Sequence, residues 1–302
     1  MISIVIISKD ESALSDTLTD IIHQAEDLYE SSEIVVVDAS DSRLDHIRRR
    51  HETQVRWVQF EQPPGLRVSI PHQRNVGVKA ARGEVIVFTD AGCRPAPGWL
   101  ARLVAPLRHE EDVAAGLTLS TPGSTGLYDR GARQALESPY LTECATINLA
   151  FRREVFDTIG EFDERFDYGS DVDFTWRLID AGYRIRSVPE AVIRHDWGGW
   201  RRQLRRSYVY GRARMRLLRK HRMRLRRVLR DDPVVVVYPI FILGLPVALF
   251  LVYLASSSTL LFLVYPALLL IPAWRNRSNG VIRVLFDHLT YGLGVLAELV
   301  TR

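Results

Sequence analysis

Val85-Ile86-Val87-Phe88-Thr89-Asp90-Ala91-Gly92-Cys93 decides the fold. Four apolar residues in a row read as a strand buried on both faces, and such strands belong to parallel sheets covered by helices. The strand closes on Thr89-Asp90 and so carries a carboxylate at its carboxyl end. Upstream, Ile4–Ile7 reads as a strand and Ser12–Tyr29 as a helix, with Leu14, Leu18, Ile21, Ile22, Ala25 and Leu28 in helical spacing. Ile34–Val37 is a second strand, ending on Asp38. Ser42–His51 is a helix, Val55–Phe60 a strand, and Gln62–Gly65 a Pro/Gly loop. His72–Ala81 is the helix that leads into Val85. The β-α-β-α-β order predicts a mainly parallel α/β sheet whose ligands bind at the carboxyl ends of its strands, where Asp38 and Asp90 stand.

Downstream, residues 116–140 are rich in Gly, Ser, Thr and Pro and read as a loop. Thr146–Phe151 is a strand, and Arg153–Ile159 is a short helix closed by Gly160. Ser170–Ala181 is a helix closed by Gly182, and Arg184–Val188 and Ala191–Arg194 are two short strand pieces.

The chain has 302 residues, 47% of them hydrophobic, enough for one sizeable α/β domain and an appendage. Its net charge of +4 hides a strong asymmetry. Residues 201–230 hold fourteen of the 40 Lys and Arg and no Asp or Glu, which leaves 26 basic against 36 acidic residues elsewhere. A basic segment of this kind favours anionic lipid or nucleic acid. It lacks the interleaved aromatics that stack bases, and apolar segments follow it directly, so lipid is the expected partner and nucleic acid is not. Leu204, Tyr208, Gly211, Met215, Leu218, Arg222, Leu225 and Leu229 form one narrow stripe on this helix, the pattern of a helix lying on an anionic membrane surface; the alternative is a solvated helix packed on the domain.

Pro233–Leu254 is long and apolar enough to span a bilayer. Leu260–Ala273 is shorter and interrupted by Pro266 and Pro272. Val281–Val300 reads equally as a third span or an interfacial helix. Basic flanks on both sides, including Arg275, Arg277 and Arg283, place the N-terminal domain in the cytoplasm by the positive-inside tendency. Cys93 and Cys144 are far apart, which fits a reducing compartment. The short Ile2–Ile7 run is followed at once by charges and does not read as a signal peptide. The expected organisation is residues 1–200 as the α/β domain, 201–232 as a basic interfacial helix and 233–302 as the membrane anchor.

Four stretches stand in order: Val35-Val36-Val37-Asp38-Ala39-Ser40, the run from Arg74-Asn75-Val76-Gly77 to Gly83-Glu84, Val85 to Cys93, and Tyr168-Gly169-Ser170-Asp171-Val172-Asp173-Phe174-Thr175-Trp176-Arg177-Leu178. Together they resemble family-2 glycosyltransferases of the GT-A fold, over roughly residues 1–200. The segment 148–166 resembles the acceptor side of that family, and 195–222 with its apolar sequel resembles the bacterial succinoglycan-biosynthesis type. The resemblance implies an inverting transfer from a nucleotide-sugar donor to a lipid-linked or membrane-proximal glycan acceptor, in surface polysaccharide synthesis. It implies Asp171 as the base, Asp38, Arg74, Asn75 and Asp90 on the donor, and Mg²⁺ or Mn²⁺ held by Asp90 and His195. Gly92 departs from the family's D-x-D pattern, which has a second carboxylate at that position.

Each residue has a plainer role beside the implied one. Asp38 is also an Asx turn after a strand. Asp171 is also a helix N-cap, although Ser170 fits the cap as well and the helix dipole tends to keep Asp171 ionised. Arg74 is also a surface helix charge, and His195 a structural partner of Asp196. Asp173 either orients the acceptor or is solvated; Trp176 lines the acceptor pocket or belongs to the core. Two other functions stay open at this point: a polyprenyl-phosphate glycosyltransferase, and a non-catalytic nucleotide-sugar-binding membrane scaffold.

Overall fold

The structure, a computed structural model, describes residues 1–65, 70–122, 135–254, 270, 274 and 280–301. They fall into two compact units, Met1–Trp197 and Gly198–Arg302.

In the first unit, β1 (Ile2–Ser8) is buried along its whole length, as a continuous apolar run at the centre of a parallel sheet should be. It pairs in parallel with β2 (Ser32–Asp38) on one side and with β4 (Val85–Asp90) on the other, and β3 (Val55–Gln59) extends the parallel half. The helices α1 (Leu14–Glu26), α2 (Asp45–Arg50) and α3 (Ile70–Ala80) connect these strands. The register sets Ser8 of β1 opposite Asp38 and Ile7 opposite Asp90. The two carboxylates therefore stand on strands that flank β1, about 10 Å apart at the backbone given the usual strand spacing. Gly77 lets α3 lie against the sheet: a Cβ there would approach Val5 Cγ1 closer than 3.0 Å.

Beyond β4 the sheet continues with antiparallel and mixed pairings. The order is β3-β2-β1-β4-β8-β6-β9-β5, with β7 (Tyr140–Leu141) paired to β9. Here β5 is Arg94–Pro95, β6 is Val113–Ser120, β8 is Leu149–Arg152 and β9 is Ile185–His195. The helix α4 (Trp99–Val104) packs on this half, α5 (Arg153–Ile159) follows β8, and α6 (Ser170–Asp180) precedes β9.

Several expectations change. Strand β6 occupies the start of the predicted 116–140 loop, where Leu117 and Leu119 alternate with Thr118 and Ser120; residues 123–134 lie outside the described residues. The two strand pieces predicted over 184–194 are one strand, because a register shift opposite Gly116/Leu117 absorbs Pro189, Glu190 and Ala191. The strand predicted from Thr146 begins only at Leu149. Thr146–Asn148 is a tight helical turn, and the Asn148 amide donates to the Leu117 and Ala191 carbonyls while its oxygen accepts from Trp99 Nε1.

In the second unit, α7 (Trp200–Lys220) ends at His221, and a short turn (Arg222–Arg224) and α8 (Leu225–Asp231) follow. The predicted stripe to Leu229 is therefore two helices. Its upper part packs against α10 (Val281–Val300): Gly211 and Gly294 each admit the other helix's backbone so closely that no Cβ would fit. The buried face of α10 is polar. Asp287 accepts from Gln203 Nε2 at 2.9 Å and from the Ser207 hydroxyl, and Glu298 takes Arg212 and Arg216, each at 2.9 Å. Its exposed residues include Ile282, Phe286, Leu293 and Leu299, with Arg283 the exposed charge in the first turn.

The helix α9 (Val234–Leu254) likewise exposes Ile240, Leu243, Phe250, Leu251 and Leu254. Among the described residues it is the one helix long and apolar enough to cross a membrane. The segment predicted over 260–273 and the arginines at 275 and 277 lie outside the described residues, apart from Leu270.

Candidate active site

Asp38 ends β2 and is buried. Its Oδ1 accepts from the Ser40 backbone at 3.1 Å and from the Ser40 hydroxyl at 2.5 Å, so the Asx turn is formed. Burial, with the nearby Asp10 carboxylate adding to it, lifts the Asp38 pKa above the ordinary value against the pull of those hydrogen bonds and of Arg43. A second turn joins in: Asp10, at φ +59°, donates its backbone N–H to Ser40 Oγ. The ends of β1 and β2 are thus one rigid corner of backbone and carboxylates.

Arg74, on α3, is 5% exposed and lies across the sheet end rather than on the surface. Its Nη2 is 3.5 Å from Asp90 Oδ1, and its guanidinium sits 6.0 and 5.8 Å from the Phe88 and Phe162 ring centres. Those rings belong to a cluster with Phe151, Phe156 and Phe174, a desolvated wall that strengthens the charge interactions beside it. The Arg74 Nε is buried with no hydrogen-bond partner among the described residues, leaving a cationic donor beside Asp90 unused. Asn75 turns the other way. It donates to the Phe162 carbonyl and accepts from the Phe162 N–H, at 3.0 and 2.9 Å, and it also donates to Glu164 at 3.0 Å. Both ends of the buried amide are spent on the 162–164 segment, so Asn75 acts by tying α3 to it.

Asp171 lies in the first turn of α6. The cap is Gly169, at φ +83°, and not Ser170, which is already helical. Asp171 Oδ1 accepts the Val172 N–H at 2.8 Å. Burial raises the Asp171 pKa, and Glu143 adds to the rise, against the opposing Arg74 charge and the Val172 N–H. Desolvation thus works against the helix terminus, which favours the carboxylate. Arg74 therefore acts on Asp90 by contact and on Asp171 through its charge, and so links the strand end to the helix start.

Glu143 is the residue that sequence reasoning missed. It accepts from Trp176 Nε1 at 2.9 Å, while Cys144 beside it feels both the Asp171 and Glu143 charges and is pushed up by burial. A single Glu in a polar loop carries no local signal; only the chain crossing over α6 brings it to Asp171. Trp176 is buried, in the core, and holds Glu143 in place.

Asp173 is 0% exposed and takes Arg177 Nε at 3.0 Å. Arg177 in turn donates to the Ile159 and Glu161 carbonyls, at 2.5 and 2.7 Å. This departs from both expectations for Asp173, since a fully buried, ion-paired carboxylate is neither solvated nor open to an acceptor. It braces α6 against the end of α5.

His195 ends β9, half-buried. Its Nδ1 lies 3.5 Å from Cys93 Sγ, and its ring meets Trp197 edge-on at 4.5 Å. It thus reaches the loop that follows Asp90. That loop is locked to α1 by Thr17, whose hydroxyl donates to the Cys93 carbonyl at 2.9 Å and accepts from the Gly92 N–H at 3.0 Å. Among the described residues no three His, Cys, Asp or Glu side chains gather closely enough to hold a metal by themselves. Asp90, whose side chain is 30% exposed, is nonetheless an oxygen donor open to a cation shared with a phosphate, the mode in which Mg²⁺ commonly binds.

Comparison with known proteins agrees with this geometry. Residues 3–162 match "Glycosyl transferase family 2" and residues 138–274 match "Glycosyl transferase family group 2". The pre-mycofactocin glycosyltransferase of Mycobacterium tuberculosis is 31% identical over 141 residues, 41% of this chain and 29% of that protein. The glycosyltransferase AglE of Haloferax volcanii is 26% identical over 162 residues, 51% of this chain and 53% of that protein. The matched region thus spans about half or less of these curated relatives. A solved structure of similar fold is the mannosyltransferase PcManGT from Pyrobaculum calidifontis in complex with GDP-Man and Mn2+, with a TM-score of 0.72 at 19% identity, covering 100% of this chain and 87% of that one. With the family matched over more than half of its length and the strand-end carboxylates in place, the chain belongs to glycosyl transferase family 2 and has the GT-A fold.

Proposed function

We propose that this enzyme transfers a sugar with inversion to a hydroxyl of a lipid-linked or membrane-proximal glycan, at the cytoplasmic face of a membrane, as in surface polysaccharide synthesis. The observation that carries the reading is Arg74, one buried cation shared by the strand-end Asp90 and by Asp171. In this reading Asp38 and its Ser40 turn face the nucleoside. Arg74 and Asp90 face the diphosphate, with Asp90 and His195 the residues that would hold Mg²⁺ or Mn²⁺. Such a cation, when bound, neutralises charge on the departing diphosphate. The complex of PcManGT with GDP-Man and Mn2+ supports this assignment.

Asp171 takes the proton of the acceptor hydroxyl as its oxygen bonds to the anomeric carbon. The bond from that carbon to the diphosphate oxygen breaks, and the nucleoside diphosphate leaves with the electron pair. A carboxylate whose pKa is lifted by burial is a better base near neutral pH than a solvated one. Asn75, Asp173 and Trp176 position Phe162, Arg177 and Glu143 around it. The exposed hydrocarbon of α9 and α10 supports a membrane anchor, since α9 carries no charge and α10 buries Asp287 and Glu298 while Ile282, Phe286, Leu293 and Leu299 face outward.

The test is Asp171→Asn in the full chain in detergent. Turnover onto a hydroxyl acceptor should fall about 10²–10⁴-fold, with donor binding retained. Retention of most of the turnover would instead indicate a phosphate acceptor, as in polyprenyl-phosphate transfer, where the nucleophile is already ionised.

A further inference from the structure

Gly92 stands where the family pattern has a second carboxylate, and its surroundings show what has taken that space. The three heavy atoms nearest a Cβ built on Gly92 all belong to the Glu11 side chain: Cδ at 3.6, Cγ at 3.7 and Oε2 at 3.9 Å. These are ordinary van der Waals distances, so the Glu11 carboxyl fills the direction in which a residue-92 side chain would extend. Glu11 belongs to the β1–α1 loop. Its Oε1 accepts the Ala13 N–H at 3.2 Å, and Oε2 is the oxygen that faces Gly92. The two loops are held in register by Thr17, which bonds both Gly92 and Cys93. Gly92 itself sits at φ +86°, where L residues are strained, so the loop is shaped for glycine.

We propose that Glu11 supplies the second carboxylate of the cation site, reaching across from the β1–α1 loop to work with Asp90. The proposal rests on the donor-site reading above. A divalent cation bound with the donor diphosphate would then have two hard protein oxygens, one from each loop, beside His195, and would take its other ligands from phosphate and water.

The experiment uses the full chain in detergent, with GDP and UDP as nucleotides and Mn²⁺ as the probe. Free Mn²⁺ is read by electron paramagnetic resonance, and nucleotide binding in EDTA by calorimetry. Glu11→Gln keeps the bond to Ala13 and removes the charge. It should weaken Mn²⁺ uptake in the presence of the better nucleotide at least about tenfold, leaving nucleotide affinity in EDTA unchanged. Glu11→Ala combined with Gly92→Asp should restore Mn²⁺ uptake by setting a carboxylate in the space that Glu11 vacates, Asp being among the residues that tolerate positive φ best. Unchanged Mn²⁺ affinity in Glu11→Gln, or no Mn²⁺ uptake by the wild type while nucleotide still binds, overturns the proposal and leaves the donor site standing. Failure of both nucleotides to bind under every condition overturns the donor-site reading and this proposal with it.

Discussion

Gly77→Ala is the sharpest probe of how the site is held. The added methyl would fall closer than 3.0 Å to Val5 Cγ1 and 3.3 Å from Val37 Cγ2, both on fully buried residues of the central strands. Neither valine has free volume to retreat into, so α3 must lift by a large part of an ångström. Overpacking of this kind costs about 1–3 kcal/mol, against a gain of about 1 kcal/mol from replacing a helical glycine. The net is a loss of up to about 2 kcal/mol.

Position 74 lies one turn from Gly77 on the same helix, so the same lift lengthens the 3.5 Å contact between Arg74 and Asp90. Misplacement of about 1 Å at a reacting centre can cost on the order of 10²-fold in rate. Chemical denaturation and steady-state transfer, both on the full chain in detergent, give the two readouts. Val5→Ala in the Gly77→Ala background should recover part of each loss by vacating the space of Cγ1, and the double-mutant cycle measures that coupling. A Gly77→Ala protein that is about 1 kcal/mol more stable, as helix propensity alone dictates, and fully active would refute the reasoning.

Three further outcomes follow from named contacts. Because burial and Glu143 raise the Asp171 pKa, kcat/KM should climb with pH along a limb above the usual aspartate range, and Glu143→Gln should move that limb to lower pH; a limb that stays in place removes Glu143 from the site. For stability the sign is opposite. A raised folded pKa favours the fold below the unfolded pKa, and that contribution is lost as pH rises through the folded value, so Asp171→Asn should melt no lower than wild type at neutral pH and lose any advantage in acid. Asp173→Ala leaves the Arg177 guanidinium, whose side chain is 21% exposed, without its carboxylate. It should cost about 3 kcal/mol in urea denaturation, the lower end for breaking a buried pair; a loss under about 0.5 kcal/mol would contradict the bracing role.

Much of the donor half could be read directly from the chain. The cores of β1, β2 and β4, residues 4–7, 34–37 and 85–88, are runs of Ile, Val and Phe too short for helices, and a strand's last residue is at its end whatever surrounds it. Asp38 and Asp90 were therefore placed by local pattern alone. The same holds for Arg153–Ile159, closed by a glycine. The α7 stripe was readable as a helix, and its 4-3-4-3 spacing was read as a membrane-surface face ahead of packing on the domain; its partner α10 was not readable, because Gly211 and Gly294, which let the two backbones approach, stand far apart in the chain.

What the sequence by itself determined is the set of elements and the residues at their ends, because hydrophobic period, glycine and proline act within a few residues of where they stand. What only the tertiary structure decided is which side chains meet. Arg74 was readable as a surface charge and is a buried bridge; Asp173 was readable as solvated and is a brace; Glu143 and Glu11 had no motif and stand beside Asp171 and Gly92. Each of these depends on contacts between residues far apart in the chain, set by the packing of helices on a sheet. Periodicity shows that a face is buried, and only the folded chain shows what it is buried against.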